Sequence, residues 1–334
     1  MFPTWACGAI LHPGQVAEGV PPDGLVGQWG SYASCIVIRA NYVLSTKHQG
    51  GGVGTAVRVD GRVLRVAEQW EHDTADLVVS RLIDSAGRNP GLAQTAVLPD
   101  GTSEMGWSVA IGGYGRGRGE EMLDANSEVY GYKWGSYPGR LVWGWNKVDR
   151  LYSMVDGDPA KARGIAVSFE PAGDPEALAG EVALAQGDSG GGWFAGAAGN
   201  WTVVAMSTSV EHSGESWFAS PTGSDDPDMV FGLRLSPTVG WIESLIFDNL
   251  IGGDVNGDGK VNFQDYLILT RHFGRSGGGW DKGDFDGNGV TDHLDLDILL
   301  QNYGQITPAE DPAVPEPGSL VLVLLGGPLV LRRR

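Results

Sequence analysis

The sequence predicts a mainly β domain, a barrel or a sandwich, closed by one helix and followed by a small helical module. Three observations carry this. Residues 24–246 alternate short apolar runs with Gly, Asn, Asp and Pro, among them Cys35–Arg39, Tyr42–Ser45, Ala56–Val59, Leu77–Leu82, Ser108–Ile111 and Thr202–Met206. These runs are only a few residues long and carry β-branched side chains, so they read as strands. Helical periodicity is scarce until Val239–Leu250, which reads as a terminal helix. After Gly252–Gly253 the chain repeats itself with an offset of 30 residues: Asp254 matches Asp284, Gly259 matches Gly289, Asp265 matches Asp295, Leu269 matches Leu299 and Gly274 matches Gly304. Each unit is an acidic loop and a short helix ending at Gly, a residue favoured just past a helix end.

Composition bounds the function. A chain of 334 residues has room for about two domains. Its 53 glycines suit a loop-rich β protein better than a helical bundle. The formal net charge of -18 is a poor match for nucleic acid, whose phosphates select Lys and Arg. Part of that acid is a solvated surface, and part sits at loop spacing near the C-terminus. Two cysteines, Cys7 and Cys35, are too few for a disulfide framework. One bridge or two separate thiols both remain open.

Residues 1–23 form an N-terminal segment without a basic start or a long apolar run. Because the rest of the chain implies export, the expectation is that the natural start lies upstream. Residues 24–250 hold the chemistry. The strongest motif is Gly187-Asp188-Ser189-Gly190-Gly191. A serine hydroxyl is a weak nucleophile that needs a base for its proton and donors for the developing oxyanion. Flanking glycines let the backbone turn tightly around it. Two motifs precede it: Tyr42-Val43-Leu44-Ser45-Thr46-Lys47-His48, an apolar strand ending at a histidine, and Asp76-Leu77-Val78-Val79, an acid leading into a strand.

In the order His, Asp, Ser these motifs resemble the trypsin-like, chymotrypsin-fold serine peptidases. The resemblance runs from about Gly24 to Leu250 and implies a double β-barrel with a C-terminal helix. It implies that His48 is the base, Asp76 its orienter and Ser189 the nucleophile of a secreted or cell-surface endopeptidase. Asp73 competes with Asp76 but lacks an immediately following apolar strand. His72 reads as a solvated loop residue. The cysteine that often follows the base in this family is replaced by Gln49. The resemblance further implies an oxyanion hole from the backbone N–H groups of Gly187 and Ser189. It implies a substrate pocket that includes Ala183, with Ser207 opening the substrate-binding strand and Ser209 and Val230 as walls. Trypsin has Asp where Ala183 stands, so the expectation is a small or apolar residue before the scissile bond. No Ile-Val-Gly-Gly activation motif is present, which leaves Asp188 in need of a partner other than a new N-terminal amine.

Residues 251–304 carry the repeat. Asp254, Asn256, Asp258, Lys260, Asn262 and Asp265 stand at positions 1, 3, 5, 7, 9 and 12 of a loop, with Gly259 at position 6. Asp284, Asp286, Asn288, Val290, Asp292 and Asp295 repeat the pattern around Gly289. Calcium takes six to eight oxygens around such a turn, with position 7 giving its carbonyl. Asp at position 12 and a single helix after each loop resemble a dockerin module. That resemblance implies Ca2+ outside the catalytic site and a cohesin-like docking partner; a calcium-stabilised spacer is the other reading. Thr291 stands where an apolar residue is usual, which predicts weaker packing around the second loop. Residues 305–317 read as a linker. Residues 318–334, an apolar stretch to Leu331 that reads as a single C-terminal apolar helix, with Val314-Pro315-Glu316-Pro317 before them and three terminal arginines, resemble a PEP-CTERM sorting tail. This implies export, transient membrane anchoring and processing by an exosortase. The competing reading for the whole chain is a catalytically silent, protease-like binding module displayed at the surface.

Overall fold

A computed structural model describes residues 9–101, 103–152, 163–197, 199–219, 226–248, 250–276 and 279–306. Cys7, most of the linker and the whole expected sorting tail lie outside the described residues. No helix among the described residues is long and apolar enough to cross a membrane.

The first half is a closed barrel. Its strands are β2 (Val26–Trp29), β3 (Ala33–Arg39), β4 (Tyr42–Ser45), β5 (Ala56–Val59), β6 (Arg62–Glu71) and β7 (Val78–Ile83). They pair in the order β2-β3-β4-β7-β6-β5, and β5 closes on β2 through Gln28 opposite Arg58. Side chains alternate across a strand, and here both faces of the central strands are apolar. In β3, Cys35 and Val37 fill the barrel with Val43, Leu64 and Leu82, whereas Ile36 and Ile38 face outward into a second cluster. That second cluster joins the halves, since Phe194, Val203 and Met206 come from the other sheet and Ile242 and Ile246 from the terminal helix. Burying a side chain of this size contributes about 1.5–3 kcal/mol, so the junction is as much a core as the barrel interior. Cys35 is a free, buried thiol, and burial pushes its pKa up to about 12.

The second half is a seven-stranded half-barrel. Its strands are β8 (Ser108–Gly113), β11 (Val142–Lys147), β12 (Arg150–Tyr152), β13 (Gly164–Ser168), β15 (Gly192–Ala197), β16 (Asn200–Val210) and β18 (Met229–Arg234), in the order β11-β8-β15-β16-β18-β13-β12. The expected double barrel is therefore one closed barrel packed on one open sheet. A three-stranded sheet of β9 (Arg118–Leu123), β10 (Val129–Trp134) and β17 (Glu215–Trp217) stands beside it. The terminal helix, α1, spans Val239–Asp248, as the sequence predicts.

The segment before residue 24 is built into this half rather than preceding it. Strand β1 (Ile10–Leu11) pairs with β14 (Val182–Ala183), Ile10 opposite Ala183. His12 is buried, with Nδ1 3.1 Å from the Tyr132 hydroxyl, Nε2 2.7 Å from the Glu170 carbonyl and its ring stacked on Phe169. The folded domain thus begins no later than Ala9.

In the C-terminal module, α2 (Phe263–His272) and α3 (His293–Asn302) pack through Leu269 and Leu299 onto Val255 and Val261. The repeat becomes a pseudo-twofold. Val261 N–H donates to the Gln305 carbonyl and Gly304 N–H to that of Val261, while Thr291 N–H donates to Arg275 and Gly274 N–H to Thr291. Thr291 does not loosen the second half: it is 1% exposed, and its hydroxyl donates to the Lys282 carbonyl at 3.1 Å. Asn89 of the β domain donates to the Gly257 carbonyl in the first acidic loop at 3.1 Å.

Candidate active site and metal loops

Antiparallel pairing brings the base and its orienter together. In the β4–β7 ladder Ser45 lies opposite Val78. The chain leaving β4 and the chain entering β7 therefore emerge at the same barrel end, three residues before His48 in one case and two after Asp76 in the other. Asp76 Oδ2 lies 2.6 Å from His48 Nδ1, and Asp76 Oδ1 accepts the His48 backbone N–H at 3.0 Å. One carboxylate thus fixes both the ring and the backbone that carries it. Burial raises the Asp76 pKa, but the hydrogen bonds from His48 outweigh it and hold the carboxyl below its ordinary value.

Ser189 comes from the other half. The loop before β15 is pinned to the first barrel, because Ser34 N–H donates to the Ser189 carbonyl at 2.9 Å. This sets Ser189 Oγ 2.8 Å from His48 Nε2. Asp76, His48 and Ser189 therefore form a continuous hydrogen-bonded line across the junction. The glycines make the approach feasible. A Cβ at Gly190, whose φ is +81°, would meet the Ser34 carbonyl at 2.1 Å; at Gly187, φ +94°, it would meet the Tyr32 carbonyl at 2.3 Å.

Around Ser189 the backbone is arranged by its acceptors. The Gln186 carbonyl accepts the Arg116 N–H at 2.9 Å, which fixes the plane of the 186–187 peptide and turns the Gly187 N–H to its other edge. Neither the Gly187 nor the Ser189 N–H has a hydrogen-bond partner among the described residues. Asp188 has the partners that the sequence left unassigned. Its oxygens accept the N–H groups of Gly115 and Ala185, each at 2.8 Å, and it is 1% exposed. Burial pushes its pKa up to about 7 against those two bonds.

Two residues supporting the site carry no motif. His72 is not a solvated bystander: its Nδ1 accepts the N–H groups of Thr74 and Ala75, at 3.2 and 3.0 Å, and shapes the turn that leads to Asp76. Burial, with Arg163 and Lys47 nearby, lowers its pKa, in keeping with a ring nitrogen that accepts. Gln49 spans the place where the resembled family often has a disulfide. It accepts from Thr46 Oγ1 at 2.8 Å and donates to the Ser34 carbonyl at 3.1 Å.

A cleft of about 430 Å³ opens beside Ser189, with residues 184–186 and 207–210, Trp134 and Arg116 in its lining. Ser207 and Ser209 line it as expected. Ala183 and Val230 do not. Both lie in the core, 0% and 2% exposed, because β1 covers Ala183 and Val230 pairs with Val167 inside the sheet. Ser207 Oγ accepts the Trp193 indole N–H at 2.9 Å, so it is occupied within the wall. Glu211, His212 and Asp228 cluster near the far end of β16. Each acid there braces a neighbour: Asp228 accepts from His212 and from the Trp217 N–H, and Glu211 from the Met229 N–H.

The acidic loops take the shape that the spacing predicts. Asp254 accepts the N–H groups of Asp258 and Gly259, and Asp265 those of Val255, Asn256 and Asn262. In the second loop one carboxylate oxygen each from Asp284, Asp286 and Asp295 lie within 4.8 Å of one another. Asp284 Oδ1 is buried with no hydrogen-bond partner. A buried carboxylate oxygen left over among other carboxylates fits a hard cation. Asn256, Asp258 and Asn288 stand in the same loops, with Lys260 and Val290 at the carbonyl position. The position-9 side chains differ from the expected direct ligands. Asn262 and Asp292 turn back to cap α2 and α3 by accepting from Gln264 and Leu294. Position 9 commonly reaches calcium through water, which this geometry allows.

Comparison with curated proteins gave no match for the chain. Residues 252–303 match the family described as the dockerin type I domain, so the pseudo-twofold pair of acidic loops and helices is a dockerin type I module.

Proposed function

We propose that this chain is an exported serine endopeptidase, a hydrolase of the trypsin-like type, carried to a partner by its dockerin module. The observation that carries the reading is the line from Asp76 through His48 to Ser189, with distances of 2.6 and 2.8 Å. His48 Nε2 accepts the Ser189 proton as Oγ attacks the substrate carbonyl carbon. Asp76 holds the proton on Nδ1, so the nitrogen facing Ser189 is the one with a lone pair. The N–H groups of Gly187 and Ser189, unpaired among the described residues, receive the oxyanion. The imidazolium then gives its proton to the leaving amine, and the acyl-enzyme is hydrolysed by water activated at the same nitrogen. The presence of His48, Asp76, Ser189 and the glycine frame favours this reading over a silent, protease-like binding module.

In the dockerin module, Asp254, Asn256, Asp258 and Asp265, and Asp284, Asp286, Asn288 and Asp295, would hold Ca2+ with the carbonyls of Lys260 and Val290. The ion would neutralise the crowded carboxylates and play no part in hydrolysis. A cohesin-like partner is supported by apolar side chains left exposed on both helices, Phe263, Tyr266 and Leu267 on α2 and Leu294 and Leu300 on α3. The PEP-CTERM-type tail and exosortase processing complete the proposal, which places the enzyme at the cell envelope or outside it.

Fluorophosphonate labelling and casein hydrolysis test the core of it. The wild type should label at Ser189, and Ser189→Ala should abolish labelling and lower kcat by a factor on the order of 10⁶. Equal casein hydrolysis by the two proteins would end the proposal.

A further inference from the structure

The cleft beside Ser189 contains a cation for which the serine peptidase resemblance gives no reason. Two charged residues line it, Arg116 and Asp188. Asp188 is withdrawn, 1% exposed with both oxygens on backbone N–H groups. Of the two, Arg116 is the one with polar atoms left to meet a ligand.

Arg116 is held in place by neutral groups. Its Nε donates to Gln186 Oε1 at 3.0 Å, its Nη1 to the Gly135 carbonyl at 3.0 Å, and its guanidinium lies 4.8 Å over the Tyr137 ring. It makes no ion pair among the described residues. This is notable in a chain with 41 acidic and 23 basic residues, where a cation has many carboxylates to choose from. A half-buried guanidinium whose remaining N–H groups are uncommitted presents a rigid fork suited to a carboxylate. The lining also holds Ser209 and Ser213, and Thr208, whose hydroxyl donates to the Phe231 carbonyl at 3.1 Å. Ala183, the residue on which an apolar preference rested, is sealed beneath β1.

We infer that Arg116 makes the cleft selective for a substrate with an acidic side chain, glutamate or aspartate, on the residue immediately before the scissile bond. The inference rests on the peptidase reading above. The location follows from the lining: residues 184–186 and 207–210 flank the nucleophile on both sides, so the side chain adjoining the attacked carbonyl is the one that enters. Arg116 is a specificity-determining residue here, and its backbone N–H separately holds the Gln186 carbonyl.

The test uses the full chain and peptides that differ only at that residue, Glu against its uncharged isostere Gln, and Asp against Asn. Charge-assisted hydrogen bonds in a partly buried site predict a kcat/KM ratio for Glu over Gln of roughly ten- to a hundredfold. The ratio should collapse towards one in Arg116→Gln. It should be partly retained in Arg116→Lys, which keeps the charge and loses the fork, and should fall as salt is raised. Fluorophosphonate labelling of each variant reports whether the site is assembled. A wild-type ratio at or below one, with Ser189 labelling normally, overturns this inference and leaves the peptidase reading standing. So does a ratio that survives in a labelling-competent Arg116→Gln, or an acidic preference found only after the scissile bond. Absence of both labelling and hydrolysis in the wild type overturns the two together.

Discussion

Replacing Asp76 by Asn changes one atom and asks the most of the proposed mechanism. The Asp76 carboxylate has two tasks, one per oxygen: Oδ2 faces His48 Nδ1 at 2.6 Å and Oδ1 accepts the His48 backbone N–H at 3.0 Å. An amide can accept on one edge only. If its oxygen faced Nδ1, its NH2 would oppose the backbone N–H, donor against donor at hydrogen-bond distance. The side chain instead keeps its oxygen on the backbone and donates to Nδ1. The ring proton is then forced onto Nε2, the atom 2.8 Å from Ser189 Oγ, and the base has no lone pair to offer. The geometry survives while the tautomer is wrong, and the expected loss is about 10⁴ in kcat, or about 5 kcal/mol of transition-state stabilisation. Peptide hydrolysis and fluorophosphonate labelling rates measure it, with Asp73→Asn as the control. Asp73 is exposed and makes no hydrogen bond to His48, so its variant should stay within twofold of wild type. Activity of Asp76→Asn within tenfold of wild type would refute the assignment of the orienter.

Two other outcomes follow from parts of the structure away from the nucleophile. Arg234 Nε donates to Glu104 Oε2 at 2.7 Å, and the two side chains are 4% and 1% exposed. Glu104→Ala removes the carboxylate paired with a buried guanidinium and should cost about 3–5 kcal/mol in urea unfolding; a loss under 1 kcal/mol would show the pair to be dispensable. Chelation with EDTA should expose residues 254–304 to limited proteolysis while the β domain keeps its resistance and the proposed activity, because on this reading metal binding supplies the module's folding energy. Identical digestion patterns with and without EDTA would contradict calcium-coupled folding.

The parts legible in the sequence are those in which chemistry fixes spacing within a short stretch. The Gly-Asp-Ser-Gly-Gly motif, the strand ending at His48 and the acidic loops are local; the limits of β4 and β5 coincide with their apolar runs, and α1 starts where its run does. The pocket was legible only at Ser207 and Ser209, because the rest of it is assembled from distant segments. Ala183 stands at a suitable distance before Ser189 in the chain, yet the pairing of Ile10 with Ala183 closes that route, and nothing in the sequence around Ile10 announces a strand partner. Arg116 and Trp134 reach the cleft because the small β9-β10-β17 sheet stands there, and its strands show only weak alternation. His72 and Gln49 act through backbone groups, which leave no pattern in side-chain identity. A histidine that accepts two N–H bonds within its own turn reads in sequence like any polar loop residue.

The Asp188 contacts bear on how the proposed enzyme would become competent. In the resembled family an ammonium delivered by chain cleavage often pairs with the residue before the nucleophile and sets the oxyanion loop. Here both oxygens of that residue are already engaged, one by Gly115 in the loop after β8 and one by Ala185 in its own loop. Asp188 therefore ties the two segments that also form the Arg116–Gln186 backbone bond, and the Gly187 N–H is directed by the second tie. Neutral donors make this arrangement independent of a charge arriving from elsewhere. An ammonium would have to break two buried hydrogen bonds to replace them, and the glycines at 113 and 115 leave no room for it: a Cβ at either would meet the Asp188 carboxylate at 2.2 to 2.6 Å. The same packing explains why a carboxylate is retained at all. Only an acceptor at both oxygens can satisfy two converging backbone N–H groups, and an asparagine would leave one of them facing an amide NH2. The loop that carries Ser189 is thus held from three sides, by Ser34 at its carbonyl, by Arg116 at Gln186 and by Gly115 at Asp188. Ser189 is held in place by contacts within the β domain.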